Sequence, residues 1–137
     1  MQDISSVVEE SLSKGKRYFE MESNVYKIRD YELTIILRPD LSEAEEKEVV
    51  SQIKSQILKN LGKINYEEGP NQRILAYNIG KYDRGKFYYV EYSGVAQPEI
   101  KFLKLNPNVL RYLLVLKEPV ETKGHIWRKK MKENLSK

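Results

Sequence analysis

The stretch Arg84-Gly85-Lys86-Phe87-Tyr88-Tyr89-Val90-Glu91-Tyr92 places cations ahead of aromatic side chains at alternate positions. A second cationic run, Arg128, Lys129, Lys130 and Lys132, follows Trp127 near the C-terminus. Cations meet phosphates without reading sequence, and aromatic rings offer faces on which bases stack. Both stretches are therefore candidates for binding a polyanion. Catalytic chemistry has less to work with. The chain has no cysteine and one histidine, which removes thiolate nucleophiles, thiolate metal sites and histidine clusters. His125 is the one side chain that ordinarily titrates near neutrality, and it lies in a charged segment with no positioned partner. No metal, cofactor or enzymatic role is expected.

The chain of 137 residues is the size of one domain plus extensions. Its longest apolar runs, Leu33 to Leu37 and Leu113 to Leu116, fall far below the ~20 residues that span a bilayer, so a soluble protein without membrane association is expected. The excess of 24 Lys+Arg over 20 Asp+Glu is unevenly spread. Residues 30–61 hold 4 basic and 7 acidic side chains, whereas residues 117–137 hold 7 basic and 3 acidic ones. The positive charge thus sits at the C-terminal end, where a polyanion would be met. The first 29 residues carry five acidic and five basic side chains. Without a long apolar stretch or a small-residue cleavage pattern they do not read as a secretory signal, and their acid content fits a mitochondrial presequence poorly.

These residues need elements to position them. Tyr31, Leu33, Ile35 and Leu37 alternate as one apolar strand face before Pro39-Asp40. Ser42 and Glu45 have the spacing of a capping box, Val50, Ile53, Ile57 and Leu61 recur at helical spacing, and Gly62 suits a helix stop. A helix over 42–61 follows. A long, bent second strand is expected over 63–79, interrupted at Gly69-Pro70-Asn71, with a polar turn at 80–85 and a third strand at 86–92. Gln97-Pro98 can open a short helix that ends near Asn106-Pro107, and Val109 to Leu116 forms the last strand. The order βαββαβ implies an α+β, ferredoxin-like fold: a four-stranded antiparallel sheet in spatial order 4-1-3-2 with two helices on one face.

Alternation then sorts side chains between faces. Leu33, Ile35, Leu75, Tyr77, Ile79, Tyr88, Val90, Tyr92, Tyr112, Leu114 and Leu116 are assigned to the helix-covered side. Thr34, Ile36, Ile74, Ala76, Phe87, Tyr89, Arg111, Leu113 and Val115 are assigned to the open side. Such an apolar open face marks a binding surface. One occupant would be single-stranded RNA, because RNA-recognition-motif proteins stack bases on the aromatics of this face. Phe87, Tyr89, Val90 and Tyr92 fit that pattern; Thr34 and Ile36 stand where a second aromatic platform is needed. Tyr18, Phe19 and Tyr26 are expected to pack on a neighbouring molecule, since few apolar residues surround them.

Tyr31-Glu32, Arg38-Pro39-Asp40, "RILAYNI" at 73–79, "GKFYY" at 85–89 and "NPNVLRYLLVLK" at 106–117 carry a family likeness. The chain resembles bacterial-type small-subunit ribosomal protein six over residues 29–117. It departs from that pattern at Asn78 and Ile74, in place of a usual proline and a frequent second arginine, and in its two extensions. The resemblance implies a ribosomal protein, a structural constituent of the small ribosomal subunit that works in translation. It would bind the central domain, or platform, of the small-subunit rRNA together with small-subunit protein eighteen.

Under that implication Ile36, Ile74, Phe87, Tyr89, Leu113 and Val115 form a protein-partner face. Arg73, Lys81, Arg84, Lys86 and Arg111, with Arg128, Lys129, Lys130 and Lys132, are the rRNA-binding candidates. Residues 1–29 would be an N-terminal extension, 30–117 the ferredoxin-like domain and 118–137 a basic tail, the two extensions touching neighbouring ribosomal proteins. Composition rich in Lys, Ile, Asn and Tyr, with long extensions, favours a ribosome of the mitochondrial matrix over one of the bacterial cytoplasm.

Overall fold

Ser42 caps a helix as its spacing predicts. In the computed structural model, which describes residues 3–95 and 101–117, the Glu45 amide donates to Ser42 Oγ at 3.2 Å and the Ser42 amide donates to Glu45 Oε1 at 3.4 Å. Helix α2 (Glu43–Gln56) grows from this cap and loosens into a π-helical turn, Ile57–Leu61. Before it come α1 (Ile4–Ser13), β1 (Tyr18–Met21), β2 (Asn24–Lys27) and β3 (Arg29–Leu37). After it come β4 (Gly62–Ile79), β5 (Tyr82–Gly94), α3 (Lys101–Leu105) and β6 (Val109–Lys117). The expected helix start at Pro98 lies outside the described residues.

The large sheet has the order β4-β5-β3-β6, every neighbouring pair antiparallel. This is the ferredoxin-like order expected for the last four strands. The core lies between sheet and helices. Tyr31, Leu33, Ile35 and Leu37 of β3 and Tyr88, Val90 and Tyr92 of β5 meet Val49, Ile53, Ile57 and Leu61 of the α2 segment, with Leu41 and Leu103 closing the ends. Burying each of the aliphatic side chains contributes about 1.5–3 kcal/mol, so this layer fixes which sheet face is covered.

The turn between β4 and β5 is tighter than the expected six-residue segment. Ile79 faces Tyr82, leaving Gly80-Lys81 as a two-residue turn, with Gly80 at φ 59° as such turns require. The hairpin is also irregular: its register shifts between Ile64 and Tyr66, Glu68 and Asn71, and Ile74 and Ile79. Each extra residue bends the strand and exchanges its faces.

The first 29 residues depart most from expectation. Ile4, Val7, Val8 and Leu12 recur at helical spacing on α1, and β1 pairs with β2 as a hairpin. Val8, Phe19, Ile28 and Val95 form a second buried cluster, with Phe19 stacked on Tyr26 at 5.3 Å. Phe19 and Tyr26 therefore help build a core of this chain, because α1 brings the missing apolar partners; Tyr18 stays exposed.

Candidate partner and nucleic-acid interface

Cross-strand register defines the open face more securely than alternation. Glu32 faces Glu91 and Val115; Thr34 faces Tyr89 and Leu113; Ile36 faces Phe87 and Arg111. On the outer side, β4 adds Tyr66 beside Glu91, Glu68 beside Tyr89, Asn71 beside Phe87 and Arg73 beside Gly85. Leu113 and Val115 are 62% and 42% exposed, while Ile36, Phe87 and Tyr89 are half-buried among their neighbours. Gly85 has a packing duty here: a Cβ on it would lie 2.5 Å from Ile36 Cγ2. The glycine of "RGKFYY" makes room for the open-face isoleucine.

Four assignments along β4 change. Ile74, expected on the partner face, pairs with Arg84, whose parity is that of Lys86 and Tyr88 on the helix side. It projects 76% exposed from the hairpin. Leu75, expected in the core, lies near Gly85 and Ile36 on the open side. Tyr77, also expected in the core, is 86% exposed, and Ile79 is only half-buried at the turn. The cause is common to all four, since the shifts along β4 move the hairpin end out of phase and past the helix layer.

Lys86 is also redirected. Its Nζ donates to Glu46 Oε2 at 2.7 Å and to the Leu41 carbonyl at 2.9 Å, with only 16% of the Lys86 side chain and 17% of the Glu46 side chain exposed. It fastens β5 to the start of α2 instead of facing a phosphate. Lys81 and Arg84 are exposed at the hairpin, and Lys81 Nζ lies 5.4 Å from the Tyr82 ring. Arg73 sits with its guanidinium carbon 5.7 Å from the Phe87 ring centroid. Arg111 is exposed and donates to the Leu110 carbonyl. Arg38, on the loop after β3, pairs with Asp40 at 2.8 Å, and that hydrogen bond holds the Asp40 carboxyl below its ordinary pKa. Arg128, Lys129, Lys130 and Lys132, with His125 and Trp127, lie outside the described residues.

Sequence reasoning missed the carboxylates of the open face. Glu32 and Glu91 sit directly opposite each other, an unfavourable arrangement for like charges. Lys117 Nζ reaches both, at 3.1 and 2.5 Å. Tyr89 Oη donates to Glu91 Oε1 at 2.7 Å. The Lys117 hydrogen bond, then the Tyr89 one, lowers the Glu91 pKa; burial, then the carboxylate bonds, raises that of Tyr89. Tyr66 meets Tyr89 edge-on at 6.2 Å and donates to Glu68 Oε2 at 3.3 Å. The adjacent Glu68 charge raises the Tyr66 pKa. The open face thus joins a band of carboxylates and tyrosines to an apolar field, with arginines at the hairpin end. The places of Glu32 and Glu91 follow from the same alternation that puts Thr34 and Tyr89 on this face, whereas those of Tyr66 and Glu68 depend on the β4 bulges. Among the described residues no group of carboxylates or histidine could hold a metal ion.

The family model for ribosomal protein S6 matches residues 30–116. A small ribosomal subunit protein bS6 of Geotalea daltonii is 35% identical over 89 residues, covering 62% of this chain and 69% of the relative. That of Thermoanaerobacter pseudethanolicus is 36% identical over 91 residues, covering 64% and 96%. A small ribosomal subunit protein bS6c of Cyanidioschyzon merolae is 32% identical over 91 residues, covering 64% and 90%. In fold, the chain is similar to the crystal structure of 30S ribosomal protein S6 from Thermotoga maritima, with a TM-score of 0.60, 24% identity and coverage of 79% of this chain and 99% of that one.

Proposed function

The chain belongs to the ribosomal protein S6 family of the small ribosomal subunit, and from that premise we propose that it works by binding through two surfaces. The open sheet face docks a small basic protein, small-subunit protein eighteen, while the hairpin cations and the basic tail neutralise phosphates of the small-subunit rRNA platform. The observation that carries this division is electrostatic. Ile36, Phe87, Tyr89, Leu113 and Val115 offer an apolar docking field, and Glu32, Glu68 and Glu91 run through it. Carboxylates on the face repel a phosphate backbone and attract a cationic protein. Single-stranded RNA stacked on this face would meet those charges and find Thr34 and Ile36 instead of a second ring.

The phosphate-facing set then consists of Arg73, Lys81, Arg84 and Arg111, joined by Arg128, Lys129, Lys130 and Lys132 from the tail; Lys86 drops out because its charge is engaged. Residues 30–117 are the binding domain, and the chain on either side of it is proposed to meet ribosomal neighbours. The mitochondrial matrix rests on composition and the extensions alone. The relatives named above lend it no support, and cell fractionation followed by detection on ribosomes decides it.

Equilibrium binding tests the division. Leu113→Asp should abolish binding of protein eighteen and leave the fold intact. Lys81→Ala with Arg84→Ala should leave protein binding unchanged, weaken rRNA binding and reduce the salt dependence of that binding by about 0.7–0.9 in log–log slope per lost contact. Deleting residues 125–137 should weaken ribosome association without loss of cooperative unfolding. If Leu113→Asp leaves the protein complex intact but abolishes binding of short single-stranded RNA, the face serves RNA and the division is wrong.

A further inference from the structure

The open face is not uniform. Between β3, β4 and β5 it holds a hollow of about 290 Å³ lined by Thr34, Glu68, Asn71, Arg73, Phe87 and Tyr89. This lies just below the ~300–1,000 Å³ of small-molecule pockets and suits one long side chain. Its walls are two aromatic rings, one margin is the Glu68 carboxylate and another is Arg73. Lys117 serves Glu32 and Glu91, but among the described residues no cation pairs with the Glu68 carboxylate, which accepts a hydrogen bond from the Tyr66 hydroxyl. The neighbouring Phe87 ring already has an internal guanidinium over it, that of Arg73. The Tyr89 ring has an edge contact from Tyr66 and, among the described residues, no cation over it.

We propose that this hollow takes an arginine side chain of the docked partner, its guanidinium paired with Glu68 and lying against Tyr89. The inference rests on the docking function proposed above and adds the anchor point to it. Arginine fits better than lysine because its planar group can pair with a carboxylate and stack on a ring at once, whereas an ammonium acts as a compact point charge. Phosphate is disfavoured because the three carboxylates around the hollow, Glu32, Glu68 and Glu91, outnumber the two cations beside them, Arg73 and Lys117. The anchored arginine balances the Glu68 carboxylate, as Lys117 does for the pair beside it.

The test uses the full chain and small-subunit protein eighteen as the probe, with Kd measured by calorimetry. Glu68→Gln should weaken binding about 30-fold, the expected scale for breaking a desolvated, hydrogen-bonded charge pair. Tyr66→Phe should stay within twofold, which separates loss of the carboxylate from loss of its local hydrogen bond. Among single Arg→Glu variants of the probe, one should be rescued by Glu68→Arg and the others not. A change within twofold for Glu68→Gln, while Leu113→Asp abolishes binding, overturns the anchor and leaves the docking face standing. No binding of the probe to the unsubstituted chain overturns both. Stronger binding of an rRNA platform fragment by Glu68→Gln than by the unsubstituted chain would show that phosphate occupies the hollow, and would overturn the arginine assignment.

Discussion

Replacing Lys86 by methionine separates a structural cation from a phosphate-binding one. Methionine keeps an apolar stem of similar reach and removes only the charge and its two hydrogen bonds. In the native fold those bonds run to Glu46 at 2.7 Å and to the Leu41 carbonyl at 2.9 Å, and both charged side chains are more than four-fifths covered. Hydrogen bonds to charged groups contribute about 1.5–3 kcal/mol, and breaking a fully buried ion pair costs about 3–5 kcal/mol. Since Glu46 keeps some access to water, the expected loss is near the lower end, about 2 kcal/mol. With a urea dependence of about 1–3 kcal/mol per molar, the unfolding midpoint should fall by about 1 M. Lys81→Met and Arg84→Met, at exposed positions, should stay within about 0.5 kcal/mol. In rRNA binding the order reverses: Lys86→Met should stay within twofold below its unfolding range, while the other two weaken binding. An unchanged midpoint combined with lost rRNA affinity for Lys86→Met would refute the structural role.

Three further outcomes follow from the packing. Gly85→Ala places a methyl 2.5 Å from Ile36 Cγ2, so it should cost about 1–3 kcal/mol and weaken partner binding as Ile36 shifts, both measurable on one preparation by denaturation and calorimetry. Phe19→Ala empties part of the second cluster, where Phe19 is stacked on Tyr26; about 3 kcal/mol should be lost, whereas a change below about 0.5 kcal/mol would show that the cluster does not stabilise the chain. Glu67 is held below its ordinary pKa by hydrogen bonds from Lys54 and then from Tyr88. Its contribution is present above the unfolded carboxylate value, about 4.3, and is lost as pH falls through the depressed folded value. Tyr88→Phe should therefore lower stability at neutral pH and flatten its fall in acid, as read from urea midpoints across pH.

How far such features can be foreseen depends on how local their causes are. The cap at Ser42 and the periodic residues up to Leu61 lie within one segment, so α2 is legible except for the π-helical turn at its end. The β3 and β5 faces are legible because the two strands pair in unbroken register and turn Leu33, Ile35 and Leu37 of one and Tyr88, Val90 and Tyr92 of the other to the helix layer. β4 is not, because whether Leu75 and Tyr77 point inward depends on how many residues are left over between Ile64 and Ile79, which only pairing with β5 settles. The engagement of Lys86 depends on Glu46, 40 residues away, and no short-range pattern announces it. The second cluster is a different case: the spacing of Ile4, Val7, Val8 and Leu12 is a local helix signal, and without that helix Phe19 and Tyr26 lose most of their apolar neighbours.

That cluster bears on the candidate site as well as on stability. Arg29 faces Gly94, so Ile28 and Val95 extend the parity of Asp30, Glu32, Glu91 and Ser93, the parity of the open face. Both are buried against Val8 and Phe19. The elements before β3 therefore close off one end of that face. The seam is polar: Arg17 pairs with Asp30 at 3.4 Å, Asn65 donates to Ser93 Oγ at 2.8 Å, and Ser93 Oγ donates to Asp30 Oδ1 at 2.6 Å. A partner docked as proposed would meet this wall at one end of the sheet and Arg73 and Arg111 at the other. Its cationic portion would then be confined to the carboxylate band between them, which would limit the direction in which it could lie across the strands.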